Sequence, residues 1–275
     1  MTTDIQKIIG DIEKSGFLTE LKVGQKLRSK GWEVSFGETY LDYDEKKSRE
    51  IDIYAYKIKN NMKINFQLVF TIYVEIKYEP KNPWVIFMTE DSMHDYKWII
   101  LHSGEAFRSE AGGAYFSDRI SPNPLSRDDK KSGTAFHEAF KKSNSPSIIY
   151  KALIGASKAA FHHMEESRRD KEVEKYSPKE QVIHEFHIPI VIVSGELFEA
   201  HLVADNIEVQ KAEWLPVKLN YSSKNYTKTN ERWFRPYIAN VSGLSSFVDK
   251  LDQWIDFLYD NLSAGIEQLR AKDSK

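Results

Sequence analysis

Glu75 and Lys77 stand two residues apart in TIYVEIKYEP (71–80), within the most apolar region of a 275-residue chain. Residues two apart on a strand face the same side, so this acid and base project together. Glu50 and Asp52, in SREIDIYAYKIK, repeat the spacing with two acids. If the strands carrying these pairs form a hairpin, Asp52 and Glu75 become neighbours across it. One ammonium neutralises one carboxylate, and the negative charge left over asks for a cation. A hard divalent ion such as Mg²⁺ or Mn²⁺ takes one or two carboxylates together with water and a substrate phosphate. Such an ion activates water for attack on a phosphodiester, with Lys77 stabilising the developing charge or orienting that water. Phosphodiester hydrolysis is the chemistry this set suits.

The elements that must position these groups are legible as patterns. Residues 4–30 look helical with a break near Ser15 and Gly16. In the second helix Phe17, Glu20, Gly24 and Leu27 share a face, which puts a carboxylate inside an otherwise buried stripe. WEVSFGETY, SREIDIYAYKIK and KINFQLVFTIYVEIKYE read as three strands rich in β-branched and aromatic residues. The asparagines of KNNMK suit the turn between the last two, so an antiparallel pair is expected. WVIF is a further strand or the start of a helix, and residues of about 88–133 form a surface insertion punctuated by Gly, Pro and Asp. Residues 134–143 and 147 to about 170 are expected as two helices, followed by strands at IPIVIVSG, ELFEAHLV and NIEVQKAEWLPVKLNY. Leu244, Val248, Leu251, Ile255, Leu258 and Leu262 mark an amphipathic C-terminal helix over about 244–271, which suits covering the core or, alternatively, a homodimer interface.

The order helix with Glu20, strand, strand with Asp52, strand with Glu75-Ile76-Lys77, then helix and strand resembles the PD-(D/E)xK nuclease superfamily. That resemblance implies an α/β fold with a restriction-endonuclease-like core, a mixed β-sheet flanked by helices in the order αβββαβ. It implies that Asp52, Glu75 and the Ile76 carbonyl hold Mg²⁺, that Lys77 is catalytic, and that Glu20 contributes as a helix glutamate does in many members. Ile51 stands where the family's name has proline. DNA is the implied substrate, with RNA as an alternative; a catalytically inactive relative binding nucleic acid or protein, and a small-molecule phosphohydrolase, are the other readings.

The remaining candidates have simpler roles. Asp52, Glu75 and Lys77 could form the solvated face of an antiparallel sheet, against which stands the apolar density of FQLVFTIYV. Glu50 more readily pairs with Arg49, Lys46 or Lys47 than binds metal. His162, His163, His184 and His187 lack the spacing of a metal-binding helix and read as surface or packing residues. Lys151 and Lys158, on the helix after the insertion, are the basic residues assigned to a phosphate backbone, although a solvated face is the default for such a run. Tyr221, Tyr226, Trp233, Phe234 and Tyr237 interleave with Lys224, Lys228, Arg232 and Arg235, an arrangement for stacking bases or for closing the sheet edge.

Composition sets the boundaries. A chain of this length buries one sizeable core, and 41% hydrophobic with 29% charged residues excludes a disordered protein. A net charge of −2 announces no global attraction to nucleic acid. The absence of cysteine excludes disulfides, thiolate metal sites and thiol nucleophiles. With no signal-like start and no apolar run long enough to span a bilayer, a single cytoplasmic domain without membrane contact is the expectation.

Overall fold

The computed structural model describes residues 4–12, 15–91, 101–104, 124–125, 127–141, 147–173, 182–226 and 233–273. Helices α1 (Ile5–Ile12) and α2 (Phe17–Ser29) are separated at Gly16, whose φ of 81° is left-handed backbone that glycine adopts without steric cost. An antiparallel meander follows: β1 (Glu33–Asp42), β2 (Lys47–Asn61) and β3 (Phe66–Lys77). The β2–β3 turn sits later than its paired asparagines suggest. Asn60 and Asn61 stay in the ladder opposite Gln67 and Phe66, and Asn65 takes the positive φ of 44°.

Next come β4 (Trp84–Glu90), β5 (Leu101–Gly104), β6 (Lys131–Glu138) and α3 (Ile148–Val173). The chain continues through β7 (Val182–Val193), β8 (Leu197–Val203), β9 (Asn206–Lys211), β10 (Trp214–Pro216), β11 (Leu219–Asn220), β12 (Trp233–Phe234) and β13 (Tyr237–Asn240). It ends in α4 (Leu244–Asp273). The fold is α/β with mixed sheets.

The principal sheet runs β1-β2-β3-β7-β13-β10. β3 pairs with β7 in parallel from Phe66 opposite Val182 to Lys77 opposite Val193, and β13 joins β7 in parallel. Strands covered on both faces read as unbroken apolar runs, and every residue of β7 from Phe186 to Val193 is buried. On one face α2 and α4 pack through Val23, Leu27, Leu251 and Trp254 against Ile53, Ile72, Val74 and Ile76. On the other, α3 packs through Ile149, Leu153 and Ala156, in one cluster with Trp84 and Ile86 of β4. β4 belongs to a second sheet ordered β6-β4-β8-β9.

Two expectations change. Of the helix expected over 134–143, the described residues 134–141 are not helical: Lys131–Glu138 is β6, paired antiparallel with β4 from Trp84 opposite Glu138 to Glu90 opposite Lys131. Local helix propensity in GTAFHEAF gives way to that pairing, because an apolar β4 needs neighbours on both edges. The stripe of α4 is buried within the chain from Leu244 to Leu262, so the homodimer surface read there is already occupied. Of the insertion over about 88–133, residues 92–100, 105–123 and 126 lie outside the described residues. No helix among the described residues is long and apolar enough to cross a membrane.

Candidate active site

β2 and β3 pair regularly up to Ile53 opposite Val74, where the ladder between them stops, while β3 stays paired with β7 through Lys77. The edge of β3 at residues 75–77 is thus released by β2. Asp52 fills the gap with its side chain: Oδ2 accepts a hydrogen bond from the Ile76 amide at 2.5 Å. A strand residue's N–H and C=O lie on the same edge, so the Ile76 carbonyl also points to the side of Asp52.

The faces change at this point. Residues two apart on a regular strand share a face, yet Ile51 belongs to the α3-side cluster and Ile53 to the α2/α4-side cluster. The partner strand turns at the same level. Phe36 lies opposite Ile53 and Glu38 opposite Ile51, and Gly37 between them has a φ of 67°. A Cβ at Gly37 would sit 2.9 Å from Glu50 Oε1, so glycine there leaves room for the Glu50 carboxylate beside Asp52. Glu50 therefore belongs to the acidic patch, whereas Arg49 pairs with Asp42 and Glu45, and Lys47 with Glu45.

Glu75 projects on the α3 face. Its Oε1 takes the Lys77 ammonium at 2.5 Å, and its Oε2 lies 3.6 Å from where a Cβ on Gly155 of α3 would be. Glu20 approaches from α2 on the opposite face. The three carboxylates flank one strand edge from two faces and the sheet plane. This geometry explains why, among the described residues, no three His, Cys, Asp or Glu side chains are gathered to hold a metal ion. The expected three-carboxylate set of Glu20, Asp52 and Glu75 is not formed; the contacts found are Asp52 on the Ile76 amide and Glu75 on Lys77.

Electrostatics still tie the group together. Burial raises the pKa of Glu75, and the Asp52 charge adds to this against the pull of Lys77. Asp52 is raised by burial despite the Ile76 amide and Lys77, with Glu50 adding repulsion. Glu20 is raised by burial and then by Asp52 and Glu50. All three acids resist ionisation in the fold, burial being the largest cause for each and their mutual repulsion adding to it.

The two lysines assigned to a phosphate backbone fare differently. Lys158 is 5% exposed, and its ammonium meets Asp42 Oδ1 and Oδ2 at 3.0 Å and Asp44 Oδ2 at 3.1 Å. It also lies over the rings of Tyr221 and Tyr226. A buried cation already held by two carboxylates has nothing to offer a phosphate, so that assignment is corrected. Lys151, in the first turn of α3, is exposed. Tyr221 and Tyr226 serve the same ion-pair cluster, while Lys228 and Arg232 lie outside the described residues.

The histidines pack. His187 Nδ1 shares a hydrogen bond with the Tyr73 hydroxyl at 2.9 Å, His162 Nδ1 does so with the Tyr43 hydroxyl at 2.9 Å, and His163 stacks on Tyr73. Sequence reasoning missed Gly37, Gly155 and Tyr40, whose hydroxyl lies 4.0 Å from the Cβ position at Gly155. A glycine inside a strand pattern signals a bulge or a close approach, and Gly37 in VSFGETY carried that signal. Compared with known proteins, the chain matches no family model, no curated protein and no solved structure.

Proposed function

We propose that the chain is a Mg²⁺-dependent nuclease that hydrolyses phosphodiester bonds in DNA. The observation that carries this reading is Asp52 seated in the opened edge between β2 and β3, on the Ile76 amide, with Glu75 and Lys77 on either side of that residue. With β4, β5 and β6 inserted between β3 and α3, the order α2, β1, β2, β3, α3, β7 keeps the αβββαβ pattern of the PD-(D/E)xK superfamily and supports the resemblance.

A divalent cation fits the residues present. Mg²⁺ accepts one or two carboxylates and keeps its other positions for water and phosphate, so Asp52, Glu75 and the Ile76 carbonyl suffice without a third acid. Asp52, Glu75 and Glu20 are held above the ordinary carboxylate range by burial and then by mutual repulsion, and a bound cation would offset both. When bound, the ion supplies Lewis-acid activation of water and of the phosphoryl group.

The chain's own groups do the rest. The Ile76 amide fixes the Asp52 carboxylate in the sheet plane. Glu75, pinned between Lys77 and α3, keeps its orientation because β3 is locked to β7 beside it. Lys77, whose side chain is 29% exposed, is the cation that can leave Glu75 for charge developing on the phosphate. Glu20 and Glu50 add negative potential at the rim, which favours a cation and helps orient water.

Purified protein should nick supercoiled plasmid in Mg²⁺ or Mn²⁺, and Lys77→Ala should abolish nicking. Equal activity in that variant would sink the assignment. The second reading, a catalytically inactive protein binding nucleic acid or a protein partner, is favoured by the 2.5 Å Glu75–Lys77 pair, which already neutralises one acid. It calls for no effect of Mn²⁺ on the melting temperature. A Mn²⁺-dependent stabilisation that disappears in Asp52→Asn argues for the nuclease.

A further inference from the structure

Buried tyrosines normally give their hydroxyl a partner, because a phenol O–H left alone in a core forfeits the hydrogen bonds water would make. The α3-side core follows the rule. Tyr43 bonds His162, Tyr73 bonds His187, Tyr221 bonds Asp44, and Tyr226 takes the Tyr43 amide at 2.9 Å and donates to Asp42. Tyr40 is the exception. Its ring is buried within the same cluster and among the described residues its hydroxyl makes no hydrogen bond, yet that oxygen is not one of the fully enclosed polar atoms without a partner, so the hydroxyl end is the part of Tyr40 that reaches solvent.

That hydroxyl is aimed at the candidate site. It lies 4.0 Å from the Cβ position of Gly155, the point that Glu75 Oε2 approaches to 3.6 Å. Because residue 155 is glycine, α3 places no Cβ in the space that the phenol and the carboxylate both border. The surroundings suit an anion beside a bound cation. Arg49 is directly opposite Tyr40 across the β1–β2 ladder, and its charge lowers the pKa of Glu75, as does that of Lys77. Burial, and then the Glu75 charge, push the Tyr40 phenol far above its ordinary value, so it stays a neutral donor at any working pH.

We propose that Tyr40 is a catalytic residue whose hydroxyl donates a hydrogen bond to a non-bridging oxygen of the phosphate held beside Glu75. No bond is made or broken at Tyr40; the phenol keeps its proton and stabilises charge on the phosphate. This rests on the nuclease reading, since it needs a phosphodiester at Glu75.

The test is Tyr40→Phe, which keeps the ring in the core and removes the one atom at issue. Three readouts are taken: plasmid nicking in Mg²⁺, equilibrium binding of a labelled DNA duplex in Ca²⁺, and the melting temperature with and without Mn²⁺. The expected result is a loss of about tenfold or more in nicking and in duplex binding, the scale of one hydrogen bond to a charged group. The Mn²⁺-induced stabilisation should stay as in the unmodified chain. Duplex binding and nicking equal to the unmodified protein overturn the role of Tyr40 and leave the nuclease reading intact. A variant that loses Mn²⁺ stabilisation assigns Tyr40 to holding Glu75 and overturns contact with the phosphate. An unmodified protein that neither nicks nor binds duplex overturns the nuclease reading, and Tyr40 with it.

Discussion

Two acidic clusters lie on either side of the same stretch of β1 and β2, and they are opposites. At the turn between these strands, Asp42 and Asp44 are met by Lys158, with Arg49 at 3.1 Å from Asp42. Burial alone would raise Asp42, but hydrogen bonds from Lys158 and from the Glu45 amide outweigh it and hold the pKa below the usual range. Asp44 is likewise held low, against burial, by Ser223, Tyr221, Asn225 and Lys158. At Asp52 and Glu75 the balance runs the other way, and burial with mutual repulsion wins. Satisfied charges lock a structure; under-compensated ones wait for a ligand. The difference separates a structural cluster from a candidate active site built from the same residue types.

The comparison breaks most visibly if the lock is opened. Lys158→Ala leaves buried Asp42 with Arg49 as its remaining cation and takes the ammonium from Asp44, and breaking a buried ion pair of this kind costs about 3–5 kcal/mol. The thermal midpoint should fall by on the order of 10 °C. Lys158→Met combined with Asp42→Asn and Asp44→Asn should lose much less, because no charge is then left unpaired. A small effect of Lys158→Ala alone would mean that the pairing is not a lock.

Lys77→Ala should do the reverse. Nicking should drop about 10²–10³-fold or more, as when one electrostatic donor is removed from a transition state, while the midpoint falls by less than in Lys158→Ala, because the ammonium that Glu75 loses is itself partly exposed. Asp52→Asn probes the repulsion itself. The amide oxygen can still accept from Ile76, so removing the charge should raise the midpoint without metal, by about 2–4 °C for each ~1 kcal/mol relieved. A fall in midpoint would contradict an under-compensated site.

The smallest effect is in the pH dependence. Carboxylates with raised folded pKa values bind more protons folded than unfolded. Their contribution to stability therefore falls as pH rises from about 4 through their raised values. Asp42 and Asp44, held low, contribute fully above about 4 and lose their contribution as pH falls through their depressed values. Thermal midpoints from pH 7 down to about 4 should thus change less in a chain carrying Asp52→Asn and Glu75→Gln than in the unmodified one. Identical slopes would remove the distinction between the clusters.

Much of the fold was legible. The β1–β2–β3 meander, α3 and α4 each carry a clean period of apolar residues, and periodicity is the strongest signal a sequence has; the stripe read along α2 is buried at Gly24 and Leu27, whereas Phe17 at its start is exposed. β6 was not legible, since its helix-like composition is overridden by a partner strand distant in the chain. The site was half legible. Two-residue spacing placed Glu75 and Lys77 on one face, as found, but it also placed Glu50 and Asp52 together on a regular strand. The break in alternation between Ile51 and Ile53, matched by Gly37 across the ladder, depends on two strands turning together. Lys158 misled because a lysine on a helix is ordinarily solvated, and the acids that bury it come from a turn more than a hundred residues away.

Gly155 and Lys158 share a face of α3, three residues apart, and one meets Glu75 while the other meets Asp42. The ion pair therefore sets the rotation of the helix over the site. A single residue inserted between them would turn one relative to the other by about 100°, from the 3.6 residues of each turn. Either the lock would open or a side chain would replace glycine above Glu75 and Tyr40. The stretch from Gly155 to Lys158 should therefore be a place where the chain tolerates no change in length.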